Sequence, residues 1–137
     1  MASFLNFFRK KKDETPAIQA DFSFLHDATG DDKEELLYLL ESQRNRLANS
    51  PEELQNVFNI HGLSEELQIS VHTFKSGVSY LGSQEFTDLL SRLELHREHN
   101  LNKRQVKDLL QQVKVYAECL LLQVEEKLQQ ETSTGES

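Results

Sequence analysis

The stretch NKRQVKDLLQQVKVYAECLLLQVEEKL, residues 102–128, decides the fold class. Val106, Leu109, Leu110, Val113, Tyr116, Ala117, Leu120, Leu121, Val124 and Leu128 recur at intervals of three and four, the spacing that returns side chains to one face of an α-helix. The stripe persists for about six turns at 3.6 residues each. Asn102, with Gln105 three residues on, is the opening signal: a capping side chain and a partner that can reach back. From Asp31 onward no segment of any length alternates with the period of a strand, so the spacing predicts an all-α body.

Upstream, the same periodicity is divided by caps and stops. Ser83 caps a helix whose core residues are Phe86, Leu89, Leu90 and Leu93, with Leu95 at its end, up to the polar break His99-Asn100. Ser64-Glu65-Glu66 starts another that Gly82 stops, after Gly62 has ended the one before. The first long helix opens at Gly30-Asp31-Asp32-Lys33-Glu34 with an Asp cap and an acidic first turn. Leu36, Leu37, Leu39, Leu40 and Leu47 are its apolar side, and it is expected to reach about Ala48. Ser50-Pro51-Glu52-Glu53 places Pro at a first helical position, so either a new short helix begins there or the long one bends. Helices joined by short links predict an antiparallel four-helix bundle over 22–130 with an extra short helical segment at its start. Residues 1–21 form a leader, and the polar 131–137 a disordered tail.

Composition sets the outer limits. A chain of 137 residues, 37% hydrophobic, is long enough for one core. No apolar run approaches the roughly 20 residues of a membrane span, and Met1 to Lys12 has no signal-peptide core, so a cytoplasmic address is expected. The single Cys119 cannot form an intramolecular disulfide, has no evident base beside it and reads as a small core hydrophobe. Net charge is −8; with Arg9, Lys10, Lys11 and Lys12 set aside, 11 basic side chains face 23 acidic ones. A body that acidic repels phosphate backbones, so no nucleic-acid partner is expected. Phe4, Leu5, Phe7 and Phe8 ahead of the four basic residues could touch an anionic membrane, although a flexible or packed leader accounts for them more simply. His96 and His99, at i and i+3, and His61 lack further ligands at metal spacing; no metal site is expected, and they read as residues solvating helix ends.

The chemistry lies in His72-Thr73-Phe74-Lys75-Ser76-Gly77-Val78-Ser79-Tyr80-Leu81-Gly82. On a helical wheel Leu63, Leu67, Val71, Phe74, Val78 and Leu81 gather on one side, whose centre lies about 150° from His72. His72 therefore faces solvent. Glu65, Gln68, Lys75, Ser76 and Ser79 share its strip, and nothing bulky covers the imidazole. Ile69 and Tyr80 flank the strip, where an intramolecular core has no use for them and a partner does. Gly77 in a helix interior costs about 1 kcal/mol relative to Ala, which points to a close approach by a neighbour.

The run His-x-x-Lys-Ser-Gly-x-x-x-Leu-Gly, His72 through Gly82, resembles the motif of histidine phosphotransfer (HPt) domains, the four-helix phosphocarriers of two-component phosphorelays. The resemblance extends in helix order over about residues 22–128. Where the family usually places Gly after the Lys and then a small residue, this chain has Ser76 and then Gly77, both small, so access to the imidazole survives.

The resemblance implies a stand-alone carrier that relays a phosphoryl group between receiver aspartates, or from a histidine kinase to a response regulator. His72 would be the phosphoacceptor and Lys75 the stabiliser of phosphoryl charge, with Gln68, Ile69, Ser76, Ser79 and Tyr80 meeting the receiver domain. It implies no intrinsic cofactor, since the receiver brings the Mg²⁺ and the acidic pocket. No Gly-rich phosphate loop accompanies the motif, so the chain is expected to carry phosphate and not to draw it from ATP. The alternative is a non-catalytic adaptor or inhibitor that docks on a receiver or kinase.

Overall fold

The structure, a computed structural model, describes residues 18–136, with side chains through residue 133. Its helices begin where a side chain takes up an orphan backbone amide. Asp21 Oδ1 accepts from the Ser23 N–H at 3.0 Å and the Ser23 hydroxyl at 2.7 Å at the head of α1 (Ser23–Thr29). Asp32 accepts from the Glu35 N–H to open α2 (Lys33–His61), and Ser64 accepts from the Leu67 N–H to open α3 (Glu65–Val78). A 3₁₀ turn, Ser79–Leu81, follows α3. Ser83 accepts from the Phe86 N–H to open α4 (Gln84–Glu94). Asn102 and Gln105 each accept from the other's backbone N–H, at 2.8 and 2.9 Å, ahead of α5 (Lys103–Glu136). All regular structure among the described residues is helical.

The chain does not break at Pro51. One helix runs from Lys33 to His61 with Pro51 inside it, well past Ala48. Its buried side chains are Leu36, Leu40, Gln43, Leu47, Leu54 and Phe58, a single stripe that keeps its register across the proline. A mid-helix proline costs about 3 kcal/mol, whereas burying Leu54 and Phe58 in that register returns about 1.5–3 kcal/mol each. Burial therefore carries the helix through.

Packing follows from the stripes. α2 lies against α3 and α5, α3 also against α4, and α4 also against α5, while α1 packs on α2 and on the 3₁₀ turn. Their apolar faces merge in one core that includes Leu40, Leu67, Val71, Phe74, Phe86, Leu93, Val113 and Leu120. Phe74 and Phe86 meet edge to face, with ring centroids 5.7 Å apart, and fix α3 against α4 beside the candidate site. Two residues expected in these stripes stand outside them: Leu63 precedes the first turn of α3 and Leu95 follows the last turn of α4, and both are exposed.

Both expected end boundaries move. Ile18 is buried, and Gln123 of α5 holds the segment after it by donating to the Ile18 carbonyl at 2.7 Å and accepting from the Ala20 N–H at 2.8 Å. Residues 18–21 thus belong to the packed body and not to a leader. Cys119 is half-buried at the same spot, with Sγ 3.6 Å from the Ile18 carbonyl oxygen, at the rim of the core. At the other end α5 continues to Glu136, through the stretch whose composition suggested disorder. The Lys127–Glu131 ion pair at 3.0 Å and the Thr132 hydroxyl bonded to the Leu128 carbonyl support the added turn, and extending a formed helix needs no new nucleus. The aromatic and basic residues of 1–12 lie outside the described residues. Among the described residues no helix is long and apolar enough to cross a membrane.

His96 does not solvate a helix end. It is fully buried after α4, where its Nε2 accepts from the Ser64 N–H at 3.2 Å and its Nδ1 stands 2.9 Å from the Leu93 carbonyl oxygen. Those two partners require the Nδ1–H tautomer. The imidazole ties the α2–α3 link to the end of α4, which leaves it no nitrogen for a metal.

Candidate functional site

α3 presents His72 outward because Leu67, Val71, Phe74 and Val78 occupy its buried face. The His72 side chain is 61% exposed, as the wheel requires. A neighbour that the sequence did not single out comes from α4: Glu94 Oε2 lies 3.0 Å from His72 Nδ1. The other carboxylate oxygen, Oε1, lies 2.6 Å from Lys75 Nζ, which also reaches the Ser91 hydroxyl at 3.4 Å. Only 14% of the Glu94 side chain is exposed. Burial pushes its carboxyl up, but hydrogen bonds from Lys75 and His72, with their charges, outweigh burial and hold it below the ordinary glutamate value.

The chemical consequence is a fixed imidazole. An ionised carboxylate only accepts, so the bond to Glu94 places a proton on Nδ1 and leaves Nε2, the other ring nitrogen of a largely exposed side chain, without a partner among the described residues. Lys75 is engaged with Glu94, the carboxylate it shares with His72.

The residues expected to meet a partner separate into two groups. Ser76 and Tyr80 share with His72 a groove of about 490 Å³ between α2 and α3. Ile69, 58% exposed, and Gln68 lie outside its lining. Ser79 sits in the 3₁₀ turn, where its hydroxyl donates to the Ser76 carbonyl at 2.9 Å. Gly82 adopts a left-handed conformation, φ 66°, that ends the turn. A Cβ there would stand 2.9 Å from Asp21 Cβ and from Phe24 Cδ2, so the missing side chain also admits the segment before α1.

Gly77 serves a neighbour, as its cost in a helix suggests. Gln43 of α2, at a core position, donates from Nε2 to the Gly77 carbonyl at 2.8 Å. Arg46, one turn further along α2, lays its side chain against Gly77, and a Cβ added there would meet its Cδ at 3.0 Å and its Cζ at 2.8 Å. Neither α2 residue was anticipated. Gln43 carried a faint signal, a polar residue in register with Leu36, Leu40 and Leu47, whereas nothing in the order of residues distinguishes Glu94 from the other acidic side chains.

Among the described residues no group of three or more His, Cys, Asp or Glu side chains is placed to hold a metal ion. Comparison with protein-family models, curated proteins and solved structures finds no match to this chain. The site's function accordingly rests on its geometry.

Proposed function

We propose that the protein is a histidine phosphocarrier of the HPt kind, in which α2 to α5 form the antiparallel four-helix bundle and His72 is the phosphoacceptor. The observation that carries this reading is the Glu94–His72 bond, 3.0 Å at Nδ1, on a largely exposed imidazole whose Nε2 is left without a partner among the described residues. A surface histidine with no chemical task needs no buried carboxylate to set its tautomer. The pairwise packing of the four long helices and their short links support the bundle.

The transfer follows from that geometry. The Nε2 lone pair attacks the phosphorus of a receiver's aspartyl phosphate; the N–P bond forms as the P–O bond breaks, and the electron pair leaves with the aspartate carboxylate. His72 keeps its Nδ1 proton, so the ring gains positive charge during the attack, and Glu94 stabilises that charge from a low-dielectric position. Lys75 holds Glu94 ionised and in place. Receiver-bound Mg²⁺ offsets the phosphoryl charge on the partner's side, and return of the group to a second receiver is the same path reversed. Ile69 and Tyr80 supply apolar contact at the rim, and the compartment that fits such partners is the cytoplasm.

The test is incubation of the full chain with phosphorylated receiver domains and Mg²⁺, beside His72→Ala. Acid-labile, alkali-stable label on wild type and none on the mutant is the expected result. Receiver binding without label on wild type would replace the carrier with a docking adaptor.

A further inference from the structure

We propose that Arg46 is a second cation for the phosphoryl group on His72, and that Gly77 lacks a side chain so that Arg46 can lie in wait beside it. The inference rests on the phosphocarrier reading. Its starting point is a deficit of charge. A phosphoryl group brings about two negative charges, and phosphorylation at Nε2 with the Nδ1 proton retained leaves one positive charge on the ring. Glu94 and Lys75, 2.6 Å apart, cancel each other. The loaded site is therefore short of one positive charge.

Arg46 is placed to supply it. It lines the groove that contains His72, Thr73, Ser76 and Gly77, and it is the one cationic side chain in that lining. Among the described residues its guanidinium has neither an ion-pair nor a hydrogen-bond partner, so moving it breaks no bond. Its side chain lies over Gly77, where an added Cβ would stand 2.8 Å from Cζ and displace it. Ser76 and Gly77, which line the same groove, are small, and the planar fork of an arginine matches two phosphoryl oxygens at once.

Phosphoramidate tests this without a protein partner: His72 Nε2 attacks its phosphorus, the P–N bond breaks, and nitrogen leaves as ammonia with the bonding pair. The full chain, Arg46→Gln, Arg46→Lys, Gly77→Ala and His72→Ala would be compared by phosphate-affinity gel and by ³¹P NMR of the phosphohistidine. Arg46→Gln is expected to slow labelling about tenfold, the scale of one charge-assisted contact. Arg46→Lys should recover part of the rate, and Gly77→Ala should resemble Arg46→Gln because its methyl group pushes the guanidinium away. Wild-type labelling in both Arg46→Gln and Gly77→Ala would overturn the role of Arg46 and leave the carrier intact. A loss in Arg46→Gln that Lys does not restore, with Gly77→Ala unaffected, would also overturn it, as a structural effect. Failure of wild type to label would overturn the carrier reading and this inference with it.

Discussion

Glu94 Oε2 lies 3.0 Å from His72 Nδ1, joining two helices through residues 22 apart in the chain. Its second oxygen holds Lys75 at 2.6 Å, so one largely buried carboxylate links the exposed imidazole to the only cation within a turn of it on α3. The two helices divide the arrangement: α3 exposes the imidazole, and α4 supplies the carboxylate that meets its Nδ1.

Glu94→Gln keeps an acceptor beside Nδ1 and removes the charge that, on the proposed mechanism, stabilises the ring during attack. Phosphohistidine formation is expected to fall about 10- to 100-fold, with helical content unchanged. Imidazole ¹⁵N NMR should show a mixture of tautomers where wild type shows Nδ1–H. An unchanged transfer rate would remove Glu94 from the mechanism.

The same carboxylate makes stability depend on pH. Its native pKa lies below the ordinary value of 4.5, so between the two the unfolded chain binds more protons and stability rises with pH. The contribution is complete above the ordinary value and disappears as pH falls through the lowered native one. Urea unfolding of wild type and Glu94→Gln at a series of acidic pH values should show their difference narrowing as pH drops. Asp21 and Glu131, also held low, are present in both proteins and leave that difference unaffected. A gap independent of pH would contradict the ion pair.

Ile69→Asp puts a charge on an exposed apolar side chain beside His72 that packs on nothing in the core. Thermal stability should stay within about 0.5 kcal/mol of wild type, while transfer from a receiver slows and labelling by phosphoramidate does not. Equal slowing with both donors would place Ile69 in the chemistry and not in docking.

His96→Ala removes a fully buried ring and orphans the Ser64 N–H and the Leu93 carbonyl that it joins. A loss of about 3 kcal/mol is expected, seen as a lower denaturant midpoint. A neutral result would mean that the link between α2 and α3 is held by other contacts.

Much of this architecture is legible in short stretches. The starts of α2 to α5 are each marked by a side chain that can cap them, at Asp32, Ser64, Ser83 and Asn102, because capping is an interaction over three residues. The exposure of His72 is equally local, since it depends only on the angle between it and Leu67, Val71, Phe74 and Val78 on one helix. Pro51 is where local signals mislead. It resembles a helix start, and the continuation through it is decided by Leu54 and Phe58, whose burial depends on what α2 packs against.

The sequence by itself determined that the chain is helical, where its long helices begin, and that His72 and Lys75 share a strip open to a partner, because periodicity and capping act within one helix. Only the tertiary structure decided that Glu94 reaches His72 from α4, that Arg46 lies over Gly77 from α2, and that His96 is buried. These are relations between helices. They depend on how apolar stripes set each helix's rotation against its neighbours, and no spacing along one element encodes which polar side chains then meet across a groove.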